Sequence, residues 1–110
     1  MPVETKQVDP GTIVVMVSGR LVLGREVERL ETVVKDLCKQ PPGKVVFDLS
    51  GLDYSDSAGI GTFVACLTLI KKAGGEMRIA GVNGRVRKLF QMTGIEHLMA
   101  VFPTVAEATA

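Results

Sequence analysis

Short apolar runs and longer stretches of helical spacing alternate along this chain. Val3 to Val8 reads as a short strand, closed by the turn signal Asp9-Pro10-Gly11. Thr12 to Ser18, rich in Val and Ile, predicts a second strand that pairs with the first as a hairpin, and Gly19 breaks the run. Val27, Leu30, Val34, Leu37 and Cys38 then share one face of a helix predicted over about Arg25 to Lys39, ended by Pro41-Pro42-Gly43. Lys44 to Leu49 is nearly all apolar, as expected of a strand covered on both faces. A loop from Ser50 to Asp56 leads to a second helix, about Ser57 to Lys72, which Ala73-Gly74-Gly75 caps. Met77 to Ala80 predicts a strand, Gly81 to Gly84 a turn, and Arg85 to Met92 a third helix stopped by Gly94. A strand near Leu98 to Phe102 and a last helix begun by Pro103 complete the order β-β-α-β-α-β-α-β-α.

That order predicts an α/β fold: one domain over residues 1–110, with a mixed, mostly parallel sheet, an N-terminal antiparallel hairpin and about four helices. Apolar residues at 46% and charged residues at 23% are ordinary for a globular chain and argue against disorder. A net charge of +1 offers no electrostatic case for nucleic acid or an anionic membrane, and the lack of Trp makes a base-stacking platform improbable. The start carries Glu4 and Lys6 with no long apolar stretch, and no run reaches the length of a membrane span, so a cytoplasmic protein without membrane insertion is expected. Cys38 and Cys66 lack metal-ligand spacing and read as buried free thiols in preference to a disulfide. His97 is the only histidine, with no second ligand nearby, and reads as a partly exposed structural residue. Neither a metal nor a cofactor is expected.

The informative segment is Asp56-Ser57-Ala58-Gly59-Ile60-Gly61, where a loop becomes a helix after the apolar run Val45 to Leu49. A hydroxyl at Ser57 has two uses there: it caps the helix through a free backbone N–H, or it carries a phosphate that those groups and the helix dipole favour. Ser55, Asp56 and Ser57 are more polar groups than a cap requires, and the small Ala58, Gly59 and Gly61 would let a partner approach the backbone. Gly59-Ile60-Gly61 lacks the third glycine of a dinucleotide fingerprint, there is no Gly-Lys-Ser/Thr loop, and Ser57 does not sit in Gly-x-Ser-x-Gly. An enzyme is therefore not expected. The helix after Ser57 has Ile60, Phe63, Val64, Leu67 and Ile70 as a core-like set, with Ala65, Cys66 and Leu69 extending the apolar surface; it is either wholly buried or exposes one edge to a partner. Arg85, Arg87 and Lys88 read as a solvated face, with an acidic partner as the alternative.

Val45 through Gly61, with Val-Val-Phe-Asp-Leu-Ser-Gly-Leu-Asp-Tyr-Ser-Asp-Ser-Ala-Gly-Ile-Gly, resembles the STAS domain, and in particular the bacterial anti-sigma factor antagonists. Gly75 to Ala80 resembles that family's fourth strand, and Val86 to Ile95 its third helix and following turn, so the resemblance spans essentially the whole chain. It implies a phosphorylation switch. Ser57 would be the acceptor for an anti-sigma factor that is itself a serine kinase. The unmodified protein would bind that factor and free a sigma factor, and a phosphatase would restore the unmodified form. Asp56, Ser57, Ala58, Gly59, Ile60 and Phe63 would form the partner-binding site. The chain departs from the family at Gly19-Arg20-Leu21-Val22, where many antagonists end in Asp, so an acidic group near the acceptor is missing. Ser55 replaces a usually apolar residue, as a competing acceptor or as part of a tighter loop, and Ala58 replaces a frequent second hydroxyl. The other reading of the resemblance is a non-switching STAS scaffold, a subunit of a stressosome-like or lipid-transport complex in which Ser57 is structural.

Overall fold

The computed structural model describes residues 3–110. Strands β1 (Val3–Asp9) and β2 (Thr12–Val17) form the antiparallel hairpin expected from the turn at Pro10-Gly11. β2 then pairs in parallel with β4 (Lys44–Asp48), β4 with β6 (Glu76–Ala80), and β6 with β7 (Ala100–Phe102). The sheet order is thus β1-β2-β4-β6-β7: mixed, mostly parallel, with the antiparallel strand at an edge.

Helices α1 (Arg25–Leu37), α2 (Ser57–Lys72), α3 (Gly84–Thr93) and α4 (Val105–Thr109) make up the rest, with a 3-10 turn at Ile95–His97. That turn shortens the strand expected from Leu98, because Leu98 closes it by donating its N–H to the Ile95 carbonyl at 3.0 Å. The last helix starts later than Pro103, with the Thr104 hydroxyl accepting from the Glu107 N–H at 3.2 Å as its cap.

Two short strands were not expected. β3 (Gly19–Leu21) and β5 (Leu52–Ser55) pair in parallel as a separate small sheet. Gly19 does end the β2 run, at φ 75°, but it redirects the chain into a new strand, and its N–H reaches the Gly51 carbonyl at 2.9 Å. The segment read as a loop before Ser57 is therefore held by backbone pairing, and the start of α2 stands on a strand.

The main core lies between the sheet and helices α1 and α2. Alternate residues of β2, β4 and β6 (Val15, Val17, Val45, Phe47, Met77, Ile79) face it, as period-2 geometry requires. Phe63 of α2 sits at its centre, packed edge-on between Phe47 (centroids 6.0 Å apart) and Phe90 of α3 (5.6 Å). The opposite sheet face carries a smaller cluster, Val14, Val46 and Ala80, beneath Ala108 of α4. Cys66 is buried and Cys38 half-buried, both as free thiols. Burial pushes the Cys66 thiol up to about 12, so it packs as an unreactive apolar group.

The glycines at the start of α2 make a sharp contrast. A Cβ on Gly59 would overlap the Ser55 hydroxyl and lie 2.6 Å from the Leu21 carbonyl oxygen, whereas one on Gly61 would meet nothing within 4 Å. Gly59→Ala should destabilise the fold by about 1–3 kcal/mol through overpacking. Gly61→Ala should stabilise it by about 0.5–1 kcal/mol through helix propensity and a less flexible unfolded chain. Urea unfolding of both variants checks the opposite signs.

Candidate functional site

Asp56 follows β5 in extended backbone (φ −95°, ψ −177°), the geometry of a helix N-cap. One carboxylate oxygen, Oδ1, accepts the Gly59 N–H at 2.9 Å; the other, Oδ2, accepts the Leu23 N–H at 3.0 Å. The same carboxylate therefore caps α2 and anchors the loop that joins β3 to α1. The Leu23 and then the Gly59 amide hold its pKa below the ordinary carboxylate range, against a smaller opposing effect of burial. The negative charge also complements the positive end of the α2 dipole.

Of the two uses open to the Ser57 hydroxyl, the capping one is taken by its neighbour. Asp56 takes the N-cap position, and Ser57 becomes the first helical residue with its side chain exposed. Ser55 is buried at the end of β5, paired with Leu21, and its hydroxyl donates to the Asp56 carbonyl at 3.1 Å, so it is neither a loop residue nor an accessible acceptor. Val22, where the family often has an acid, is half-buried and directly precedes the Leu23 amide that binds Asp56. The position is thus beside the start of α2, and it is apolar.

The expected partner-binding residues divide into two sets. Asp56, Ser57 and Ala58 lie at the surface or partly so. Gly59, Ile60 and Phe63 do not: Gly59 is packed on Leu21 and Ser55, and Ile60 and Phe63 belong to the core, Phe63 with no exposure at all. Their apolar character serves folding, and the small size of Gly59 admits the protein's own chain. The outward edge of α2 is formed instead by Ser57, Gly61, Val64 and Thr68, three or four residues apart, so the helix is neither wholly buried nor broadly apolar on its surface.

Sequence reasoning missed the far wall of the site. A recess of about 400 Å³ opens beside Ser57, lined by Tyr54, Ser55 and Asp56 on one side and by Arg85, Lys88, Leu89 and Met92 on the other. Those four α3 residues follow the i, i+3, i+4, i+7 spacing of one helix face. That spacing was legible, but nothing in the sequence indicated that this face would meet Ser57. Leu23 and Met92 are both 78% exposed, and both adjoin the start of α2. Among the described residues no group of acidic, His and Cys side chains could hold a metal. None of the described helices is long and apolar enough to cross a membrane.

The STAS domain family model matches residues 4–108. This chain belongs to the STAS domain family. Among curated relatives, the anti-sigma-B factor antagonist of Staphylococcus aureus is 33% identical over 75 residues, covering 68% of this chain and 69% of that protein. An anti-sigma factor antagonist from Mycobacterium paratuberculosis has the same fold (TM-score 0.82, 22% identity, 97% of this chain and 89% of that one). So does the Bacillus cell fate determinant SpoIIAA in its phosphorylated form (TM-score 0.75, 21% identity, 97% and 96%). A sulfate transporter family protein from Wolinella succinogenes is also similar (TM-score 0.80, 20% identity, 94% and 85%), so this STAS fold on its own does not specify a role.

Asp56→Ala should lower the melting temperature at neutral pH and speed hydrogen exchange at the Leu23 and Gly59 amides specifically. Because the folded pKa is depressed, the contribution of Asp56 is full above the ordinary carboxylate pKa, about 3.9. It is lost as pH falls through the lowered folded value. The gap between the wild-type and Asp56→Ala melting curves should therefore close in acid, which thermal melts across that range would detect.

Proposed function

We propose that this protein is an anti-sigma factor antagonist whose binding is switched off by phosphorylation of Ser57. The observation that carries the reading is the division of labour at the start of α2. Asp56 supplies the cap, which leaves the Ser57 hydroxyl exposed on a rigid helix end beside a recess. With the capping done by Asp56, the Ser57 hydroxyl is left for another use. The relatives named as anti-sigma-B factor antagonists support the choice of partner, and the likeness to a protein known in a phosphorylated form supports the choice of switch.

In this reading the unmodified protein docks on an anti-sigma factor around Ser57, Ala58, the outward edge of α2 and the exposed Leu23 and Met92. The bound factor, acting as a serine kinase, then presents a nucleoside triphosphate. The Ser57 Oγ attacks the γ-phosphorus, the bond to the bridging β–γ oxygen breaks, and the nucleoside diphosphate leaves. The hydroxyl proton passes to a base on the kinase. The product carries an added charge of about −1.5 to −2 at neutral pH. Docking must then bury or oppose that charge, and a loss of about 3 kcal/mol weakens binding by more than a hundredfold. No refolding is required, because the site is fixed by backbone pairing and the Asp56 bridge. A phosphatase that hydrolyses the Ser57 ester resets the protein.

Titration of the cognate anti-sigma factor tests this. Ser57→Ala should bind whether or not nucleoside triphosphate is present, and Ser57→Asp should bind at least roughly tenfold more weakly, a loss of about 1.4 kcal/mol or more. Equal affinities for the two variants would defeat the switch and favour a fixed scaffold.

A further inference from the structure

α3 presents chemically different faces. The face toward Ser57 holds two cations, Arg85 and Lys88, followed by the apolar Leu89 and Met92. Arg87 points elsewhere, into a separate hollow with Glu96 and His97. Arg85 and Lys88 are exposed, and neither takes part in the ion pairs among the described residues, Lys39 with Asp36 and Arg78 with Glu76. A third cation stands behind the opposite wall, where the Arg20 guanidinium stacks over the Tyr54 ring at 4.7 Å from its centroid. The carboxylate lining the recess is Asp56, whose two oxygens already accept backbone N–H groups. The recess is thus bordered by unpaired positive charge on the side facing the exposed serine, and its one anion is already engaged.

Resting on the reading of Ser57 as a phosphoacceptor, we infer that Arg85 and Lys88 are the intramolecular partners of the phosphoryl group on Ser57. A dianion on Ser57 enters a recess whose far wall offers a guanidinium fork and an ammonium, both suited to phosphate oxygens. The pairing has two consequences. It offsets the repulsion between the phosphate and Asp56, so the modified state is tolerated without disturbing the helix cap. It also places a bulky anion across Leu89 and Met92 and neutralises the two cations, so the modification changes the α3 wall as well as Ser57. Phosphorylation then removes a cationic, partly apolar docking face as a whole.

The test uses the full chain with phosphoserine installed at position 57 during synthesis, read by 31P NMR through pH. The charged groups facing the phosphate are Asp56 from the α2 start and Arg85 and Lys88 from α3, with Arg20 beyond Tyr54 on the β3–β5 side. The second ionisation of phosphoserine lies near pH 6. Two cations across a solvated recess should lower it by about 0.5–1 unit relative to the doubly substituted Arg85→Ala/Lys88→Ala protein, with the difference shrinking at high salt. Arg87→Ala, on another face of the same helix, removes one positive charge without touching the recess and should leave the titration unchanged. Identical titrations for the parent and the Arg85→Ala/Lys88→Ala protein would overturn the inference. So would an equal shift in Arg87→Ala, which would reveal only an effect of net charge. Because the phosphate is installed synthetically, this outcome is independent of whether any kinase modifies Ser57, which the binding titration of the Ser57 variants addresses separately.

Discussion

The site depends on the Asp56 carboxylate. It joins the Leu23 and Gly59 amides, and so ties the β3–α1 loop to the first turn of α2 across 33 residues of sequence. Everything that makes Ser57 available follows from this bridge. With the cap supplied by its neighbour, the serine is the first residue of the helix, and its hydroxyl is not committed to the backbone. The backbone around it is held from below by the β3–β5 pair, where the Asp56 N–H also reaches the Leu21 carbonyl at 3.3 Å. A modification at such a position alters charge on a fixed platform.

The rest of the helix start explains why the platform is narrow. Gly59 has no room for a Cβ because the Leu21 carbonyl and the Ser55 hydroxyl occupy that space, and Ile60 and Phe63 turn inward to the phenylalanine cluster. The surface left to a partner is Ser57, Ala58 and the outward edge of α2, flanked by the recess under α3 and by the exposed Leu23. In the proposed function, folding and recognition use different faces of one helix, and a charge added at Ser57 acts on the outward side without opening the core.

Most of the architecture was legible in the periodicity. The hairpin, the parallel strands Lys44–Asp48 and Glu76–Ala80 and the spans of α1, α2 and α3 match the runs of apolar residues to within a few positions. The β3–β5 pair was not legible, because strands of three and four residues carry too little alternation to register, and their pairing is a tertiary fact. Which residue caps α2 was left open for a related reason. Asp56 and Ser57 are both good capping residues, and only the contact with Leu23 decides between them. Phe63 read equally well as core or as interface until its neighbours Phe47 and Phe90 were known. The cations of α3 read as a solvated face, and nothing short of the packed structure sets Arg85 and Lys88 opposite Ser57 while sending Arg87 elsewhere.

In the proposed function, this STAS domain is a rigid support that offers an uncommitted hydroxyl at the start of α2, and its regulation would rest on the charge at that atom. The most direct test is phosphosite mass spectrometry on the protein isolated from its native cells under several growth conditions. The account predicts phosphate on Ser57, and not on the buried Ser55, in an amount that changes with condition. Persistent absence of phosphate from Ser57, with the protein held in one fixed complex throughout, would contradict it and make this STAS domain a scaffold.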